Sequence, residues 1–381
     1  MKKCVCMVSF DYPPLEGGIS RLCAAIVDDL RLRNHRVEVI SRQTNAQHQA
    51  FQVPKTPEFR VAPKRFKADW QLFKRLRKYH RHDIVITGVW YPEALIAWLA
   101  GCRHIAILAH GNDIMHGQST VKNRLLSWVR KRVFKHADVV IANSRYTGDL
   151  VAAQTQTPIA VATLGVDEQR FTPVDTDGIA QLRQHFGFPQ DKFIALTTSR
   201  IQAYKGHDTV LAAVRDLPAE SRANMLYVIA GRGEHMESLQ FMAAEYGITE
   251  QVQFLGFVDE ADLANLYACV DAFVMCTREE AGAKQVEGFG LVFLEAQASG
   301  TLAIGTRQGG IVDAVDDQNG GYLIERDDAV ALAMRLDDLI NHPETVQQQS
   351  EFARQRVEQS TTWRHYGDRV NHILEQYFGN S

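Results

Sequence analysis

The chain reads as an α/β protein built from two Rossmann-like, doubly wound domains, and three observations lead there. Short apolar runs alternate with longer amphipathic stretches along the whole length, the signature of repeated β-α-β units. The runs are continuous rather than alternating in polarity, which suits parallel strands covered on both faces. They also fall into two groups, and 381 residues are enough for two separate cores.

Six runs belong to the first group, at 4–10, 37–40, 84–87, 105–109, 139–142 and 159–163. Five belong to the second, at 193–197, 226–230, 252–255, 272–275 and 302–304. The polar segment 165–177, with Pro173, separates them, so the domains are placed at 1–168 and 169–361. The tail is helical in period, and Trp363, Tyr366, Val370, Ile373 and Leu374 need a surface to pack on.

Composition excludes several classes. Charged residues at 23% and apolar residues at 45% are ordinary globular values. No apolar run reaches eighteen residues, so no transmembrane helix is predicted. Asp11 interrupts the first apolar run too early for a signal-peptide core. Six cysteines (4, 6, 23, 102, 269 and 276) include no C-x-x-C pair, so neither a zinc site nor a redox motif is expected. Charge is uneven: residues 1–171 hold 26 Lys+Arg against 14 Asp+Glu, the remainder 16 against 31. Such halves meet different partners.

In doubly wound sheets, ligands sit beyond the carboxyl ends of the strands. The chemistry-bearing residues follow the apolar runs accordingly. After the first run, Gly17 and Gly18 open a helix whose bare amides suit an anion; the plainer reading is a tight turn that needs glycine. His110-Gly111 follows the run at 105–109. Arg200 and Lys205, five apart in the loop after the 193–197 run, are suited to neutralising a pyrophosphate. The strongest segment is Glu287-Gly288-Phe289-Gly290-Leu291-Val292-Phe293-Leu294-Glu295. Its glycines shape a loop into a helix starting near Leu291. Amides at Gly290, Leu291 and Val292 are then free for phosphate, and Glu295 lies about one turn further on. Glu287 reads either as a sugar-binding carboxylate or as a helix cap.

With these residues in order, the chain resembles the retaining glycosyltransferases of family 4, with the GT-B fold. The resemblance is carried by Gly17-Gly18, His110-Gly111, Asn143-Ser144, Arg200-x4-Lys205-Gly206, the Glu287-x7-Glu295 pair and Gly309-Gly310. It implies a cleft between the two domains, an acceptor site in the first, a nucleotide-sugar site in the second, and a final helix, 362–381, returning to the first. It further implies that Arg200 and Lys205 stabilise the departing nucleoside diphosphate, and that Glu287 positions the donor sugar. Glu295 would bind ribose, His110 would face the reacting sugar, and Gly18 and the 288–292 loop would line the phosphates. The nucleotide sugar is a substrate, and no cofactor or metal is expected. The long connection 276–286, CTREEAGAKQV, hints at GDP-mannose as the donor, with a UDP-hexose left open.

Two basic, aromatic stretches point to an anionic membrane surface as partner. One runs from Lys64 to Arg81, the other from Lys122 to Lys135; the plain alternative for both is a solvated helix face. No nucleic-acid motif is present. The expectation is transfer of a hexose to a lipid-linked or saccharide acceptor in cell-surface glycan or lipopolysaccharide synthesis, on the cytoplasmic face of the membrane. A small soluble acceptor, a non-catalytic nucleotide-sugar-binding protein and an epimerase remain open.

Overall fold

A computed structural model describes residues 4–15, 17–43, 58–115, 120–279 and 285–379, the side chains of Val121 and Lys122 excepted. The chain forms two compact units. The first runs to Gly165 and takes up the chain again at Trp363; the second begins at Val166 and ends at Thr362.

The first unit is laid out as β1 (Val5–Val8), α1 (Gly18–Leu32), β2 (Val37–Arg42), β3 (Glu58–Val61), α2 (Arg65–Tyr79), β4 (Ile84–Thr87), α3 (Leu95–Ala100), β5 (His104–Ala109), α4 (Val121–Lys135), β6 (Val139–Ala142), α5 (Arg145–Ala152) and β7 (Ile159–Val161). Its sheet has seven strands in the order β3-β2-β1-β4-β5-β6-β7, all parallel, with Cys6 opposite both Glu38 and Val85. β1, β4 and β6 are buried along every residue, which is why they read as unbroken apolar runs.

The second unit contains α6 (Thr176–Phe186), β8 (Phe193–Thr198), α7 (His207–Asp216), α8 (Ala219–Ala223), β9 (Met225–Ala230), α9 (Met236–Glu245), β10 (Val252–Gly256), α10 (Glu260–Ala268), β11 (Ala272–Met275), α11 (Leu291–Ala298), β12 (Leu302–Thr306), α12 (Ile311–Ala314), β13 (Gly321–Ile324), α13 (Ala329–Asn341) and α14 (Pro343–Ser360). Six parallel strands follow the order β10-β9-β8-β11-β12-β13. The strand order reverses beside β1 in one sheet and beside β8 in the other, and doubly wound sheets bind ligands at such a point.

The strand count corrects the reading of six runs and five. β3 and β13 escaped it because each is a four-residue strand at or near an edge: β3 is polar in half its residues and β13 begins on glycine. The last helix, α15 (Trp363–Phe378), belongs to the first unit and packs on α1. Gly367 makes the contact close: a Cβ there would stand 2.3 Å from Asp29 Cγ. Arg33 clamps the pair, bonding Asp29 at 2.7 Å and Asp368. Before this helix, the Val166 amide donates to Thr361 O at 2.9 Å.

Candidate active site

In the second unit the loops after β8, β11 and β12 and the start of α11 come together. Gly206 sits at φ 73°, and a Cβ there would lie 1.8 Å from the Cys276 carbonyl oxygen. Glycine therefore lets the loop after β8 lie directly on the end of β11. Arg278, in the connection after β11, holds the turn before Gly206. It donates to Ala203 O at 3.1 Å and to Asp208 Oδ2 at 2.7 Å, while its own amide donates to Tyr204 O at 2.8 Å.

That framing delivers Lys205 to Glu287: Nζ donates to Oε2 at 2.7 Å, with both side chains mostly buried. Burial opposes the Lys205 charge, but the Glu287 carboxylate outweighs it and holds the ammonium above its ordinary range. Arg200 is exposed and has no side-chain partner among the described residues, and its charge bears on Lys205 in the opposite sense. The two cations thus differ: one is pre-paired, the other open.

Glu287 is not a helix cap. α11 starts from Gly290 at φ 92° with no side-chain cap, so the Leu291 and Val292 amides are open. Gly309 and Gly310 hold this loop from beneath: Gly310 N donates to Glu287 O at 2.9 Å, and a Cβ on Gly310 would fall 2.0 Å from Gly288 O. Phe289 is buried and anchors the loop. Glu295, on the second turn of α11, is 4% exposed and accepts from the Tyr267 hydroxyl at 3.2 Å.

Below Lys205, His207 is buried between Ser199 Oγ at 2.9 Å and Tyr227 OH at 3.0 Å. Burial, then the Lys205 charge, lowers it to about 4. It is a neutral hydrogen-bonding pillar for the loop.

In the first unit the carboxyl ends of β1, β4, β5 and β6 carry a second set. Gly17, at φ 140°, precedes α1 with no side-chain cap, so Gly18 and the following amides are bare. His110 Nε2 bonds Gly88 O at 2.6 Å and its amide donates to Asp113 Oδ1 at 3.0 Å. Burial raises the Asp113 carboxyl, and Trp90 Nε1 donates to the Asp113 carbonyl at 2.8 Å. Asn143 Nδ2 reaches His110 O at 3.5 Å, whereas Ser144 caps α5 through the Thr147 amide at 3.1 Å. Asn143 therefore belongs to the His110 set and Ser144 to the helix.

The basic stretches need correction. Arg75 faces Glu38 at 2.7 Å, so it is a structural ion pair. Arg130 is 5% exposed and lies over the Trp90 ring at 5.5 Å, and Val133 and Phe134 are core residues. What remains outside is Phe66, Trp70 and Tyr79 on α2 and Leu125 and Trp128 on α4, with Lys74 over Trp70 and Arg132 over Trp128. Part of the 276–286 connection lies outside the described residues.

Tyr267, Arg278, His207 and Glu93 were not singled out from sequence, because each acts through partners on other elements; Arg278, His207 and Glu93 follow strand ends, whereas Tyr267 lies on α10. Among the described residues there is no group of three or more His, Cys, Asp and Glu side chains that could hold a metal, and no helix is long and apolar enough to cross a membrane.

Known proteins share this architecture. Residues 179–356 match the model of glycosyl transferases group 1, and residues 16–170 that of Glycosyltransferase Family 4. A GDP-mannose-dependent alpha-(1-6)-phosphatidylinositol monomannoside mannosyltransferase of Mycolicibacterium smegmatis is 29% identical over 97% of each chain. A D-inositol 3-phosphate glycosyltransferase of Saccharomonospora viridis is 30% identical over 77% of this chain and 70% of its own length. Among solved structures, HepE of Anabaena in complex with UDP superposes with a TM-score of 0.80 at 18% identity, covering 98% of this chain and 100% of that one. Sucrose-phosphate synthase of Thermosynechococcus elongatus gives 0.78 at 20% identity over 100% of both. These two establish the fold and the relatives establish the descent: the chain belongs to glycosyltransferase family 4 and is a glycosyltransferase of the GT-B fold.

Proposed function

We propose that this glycosyltransferase transfers a hexose, with mannose from GDP-mannose as the leading donor, to a lipid-linked acceptor, retaining the anomeric configuration and using no metal. The supporting observation is the Lys205–Glu287 pair set beside the uncapped start of α11. A diphosphate resting on the Leu291 and Val292 amides meets an ammonium and the open Arg200, which supply the positive charge that a divalent ion would otherwise bring. As Lys205 turns toward the leaving group, Glu287 is released to accept from a sugar hydroxyl. Glu295 takes the ribose diol. Two relatives whose names specify GDP-mannose favour that donor.

The test is a thermal-shift panel of GDP-mannose, UDP-glucose and ADP-glucose with and without EDTA, since a ligand raises native stability in proportion to ln(1 + [L]/Kd). GDP-mannose should give the largest shift, undiminished by EDTA. A shift for none of the three, or one abolished by EDTA and restored by magnesium, rejects the reading.

The acceptor proposal, with the peripheral location on the cytoplasmic membrane face that it entails, draws on the outer faces of α2 and α4. Phe66 and Trp70 are 90% and 53% exposed, Leu125 and Trp128 61% and 56%. Aromatic side chains flanked by Lys and Arg suit the headgroup level of an anionic membrane. Changing Lys74, Arg77 and Lys78 to Ser, leaving the paired Arg75 intact, should weaken sedimentation with anionic vesicles while donor hydrolysis continues. Unaltered sedimentation moves the assignment to a soluble acceptor.

A further inference from the structure

A carboxyl group that no step above uses lies under the loops leaving β1 and β4. Glu93 is 2% exposed, in the π-helical turn that follows β4. Its Oε1 accepts from the Phe10 amide at 2.6 Å and its Oε2 from the Val89 amide at 3.0 Å. One side chain thus ties together the loops at the sheet's reversal point. Its titratable neighbours are Asp11 and Cys23, and no cation faces it among the described residues; burial raises the carboxyl, and the amides offset only part of that. Gly88 completes the knot, since a Cβ there would stand 2.8 Å from Ser9 Oγ and 3.1 Å from Glu93 Oε2.

The knot reaches His110 through the Gly88 carbonyl, 2.6 Å from Nε2. A carbonyl oxygen only accepts, so Nε2 carries the proton and Nδ1 presents a lone pair. Nδ1 is buried and has no partner among the described residues. Asp113, the carboxylate nearest the ring, bonds the His110 backbone amide instead.

We propose that Glu93 is a positioning residue: by pinning the Gly88–Val89 peptide to the Phe10 loop, it aims the Gly88 carbonyl at His110 and holds the imidazole in its Nε2–H tautomer, leaving Nδ1 to accept from a sugar hydroxyl. The last clause rests on the glycosyltransferase reading; the tautomer does not.

The test is nitrogen-15 NMR of the His110 ring in the free enzyme, with His110→Asn to assign the signals, for the parent, Glu93→Gln and Gly88→Ala. The parent should show a single Nε2–H form. Glu93→Gln presents an NH2 group to one of the two amides and breaks that arm. Gly88→Ala crowds the knot, its methyl against Ser9 Oγ and Glu93 Oε2, and leaves the carboxyl chemically intact. Both should give mixed tautomers and lower kcat with GDP-mannose about 10- to 100-fold, as for a misplaced reacting group, with its KM little changed. Should Glu93→Gln not fold, Glu93→Asp keeps a carboxyl group, draws the oxygens back and is read in the same way. The parent's tautomer in a slowed variant, or unchanged turnover in a variant with mixed tautomers, overturns the proposal. Because the spectrum needs no substrate, a wrong donor assignment shows separately, as an inactive parent.

Discussion

The two reversal points solve the same problem in opposite ways. In the second unit most charged groups are engaged before a substrate arrives, Lys205 with Glu287 and Arg278 with Asp208, while Glu295 accepts from the Tyr267 hydroxyl and Arg200 stays open. In the first unit, polar atoms are held by backbone groups and several have no partner among the described residues, including His110 Nδ1, Asp113 Oδ2 and Asn143 Oδ1. A diphosphate carries much charge and little shape, so its site needs pre-arranged cations and amides. Sugar hydroxyls carry no charge and much shape, so their site needs oriented neutral acceptors. Buried acceptors left bare cost stability, and the second unit carries that cost too, at Gln202 Oε1, Asp208 Oδ1, Thr277 Oγ1 and Gln308 Oε1 among the described residues.

Close backbone approach is the feature of the second unit whose loss should weigh most. At Gly206 and Gly310 a methyl would sit 1.8 and 2.0 Å from a carbonyl oxygen, and backbone cannot yield as a side chain can. Gly206→Ala or Gly310→Ala should destabilise by more than about 4 kcal/mol, in the range reserved for severe strain. Denaturant unfolding measures it. A cost below about 1 kcal/mol, the average single-mutation effect, would show that these loops move apart freely.

Pre-pairing comes next. Lys205→Ala should lower kcat by about 100- to 1,000-fold, as for loss of one oriented charge in an active site. It also leaves Glu287 buried beside no cation. Adding Glu287→Gln should therefore cost much less in the Lys205→Ala background than in the parent, a coupling that a double-mutant cycle isolates. Additive losses separate the two roles and break the pair.

How far each region is legible follows from the same contrast. The Glu287–Glu295 segment shows in the sequence because its loop, free amides and carboxylates lie within one short stretch, and the Arg200–Lys205 pair because its spacing is local. Their partnership does not show, since Lys205 meets Glu287 across 82 positions. Glu93 is hidden for a stronger reason: it bonds two amides, which any residue can offer, one of them 83 positions away. Central strands such as β1 and β8 could be read from apolar runs because both their faces are covered. β3 and β13 could not, being short and outlying. Arg130 looked like surface charge because its helix is basic throughout, yet it lies against Trp90.

The units should also respond to pH in opposite directions. His207 is lowered from 6.5 to about 4. The unfolded chain then binds the extra proton first, so the contribution is present above about 6.5 and is lost as pH falls toward 4. Glu93 is raised by burial from 4.5 to about 8. The folded chain then holds the proton more tightly, so that contribution is present below about 4.5 and is lost as pH rises through 8. At roughly 1.4 kcal/mol per pH unit, His207 is worth at most about 3.5 kcal/mol and Glu93 at most about 5 kcal/mol. Melting temperature against pH for His207→Gln should be flatter on the acid side, and for Glu93→Gln flatter on the alkaline side. Curves parallel to the parent's would detach both groups from the pH response.

The smallest expected effect on stability is the most informative about the first unit. Gly17 lies at φ 140°, and a Cβ there would meet nothing within 4 Å. Gly17→Ala therefore brings backbone strain of about 1–3 kcal/mol, partly offset by about 0.4–1 kcal/mol from a stiffer unfolded chain. The enzyme should fold, with its melting temperature lowered by a few degrees, as about 1 kcal/mol implies for a chain of this size. Gly206 offers the contrast: there the protein's own backbone fills the space. At Gly17 no described residue fills the space, beside the uncapped amides of α1. If a diphosphate or sugar comes close to those amides, the added methyl obstructs the ligand rather than the protein. The KM for GDP-mannose should then rise about tenfold or more, roughly 1.4 kcal/mol of binding, while stability changes little. A folded variant with the parent's KM assigns Gly17 to the turn alone and removes it from the donor site.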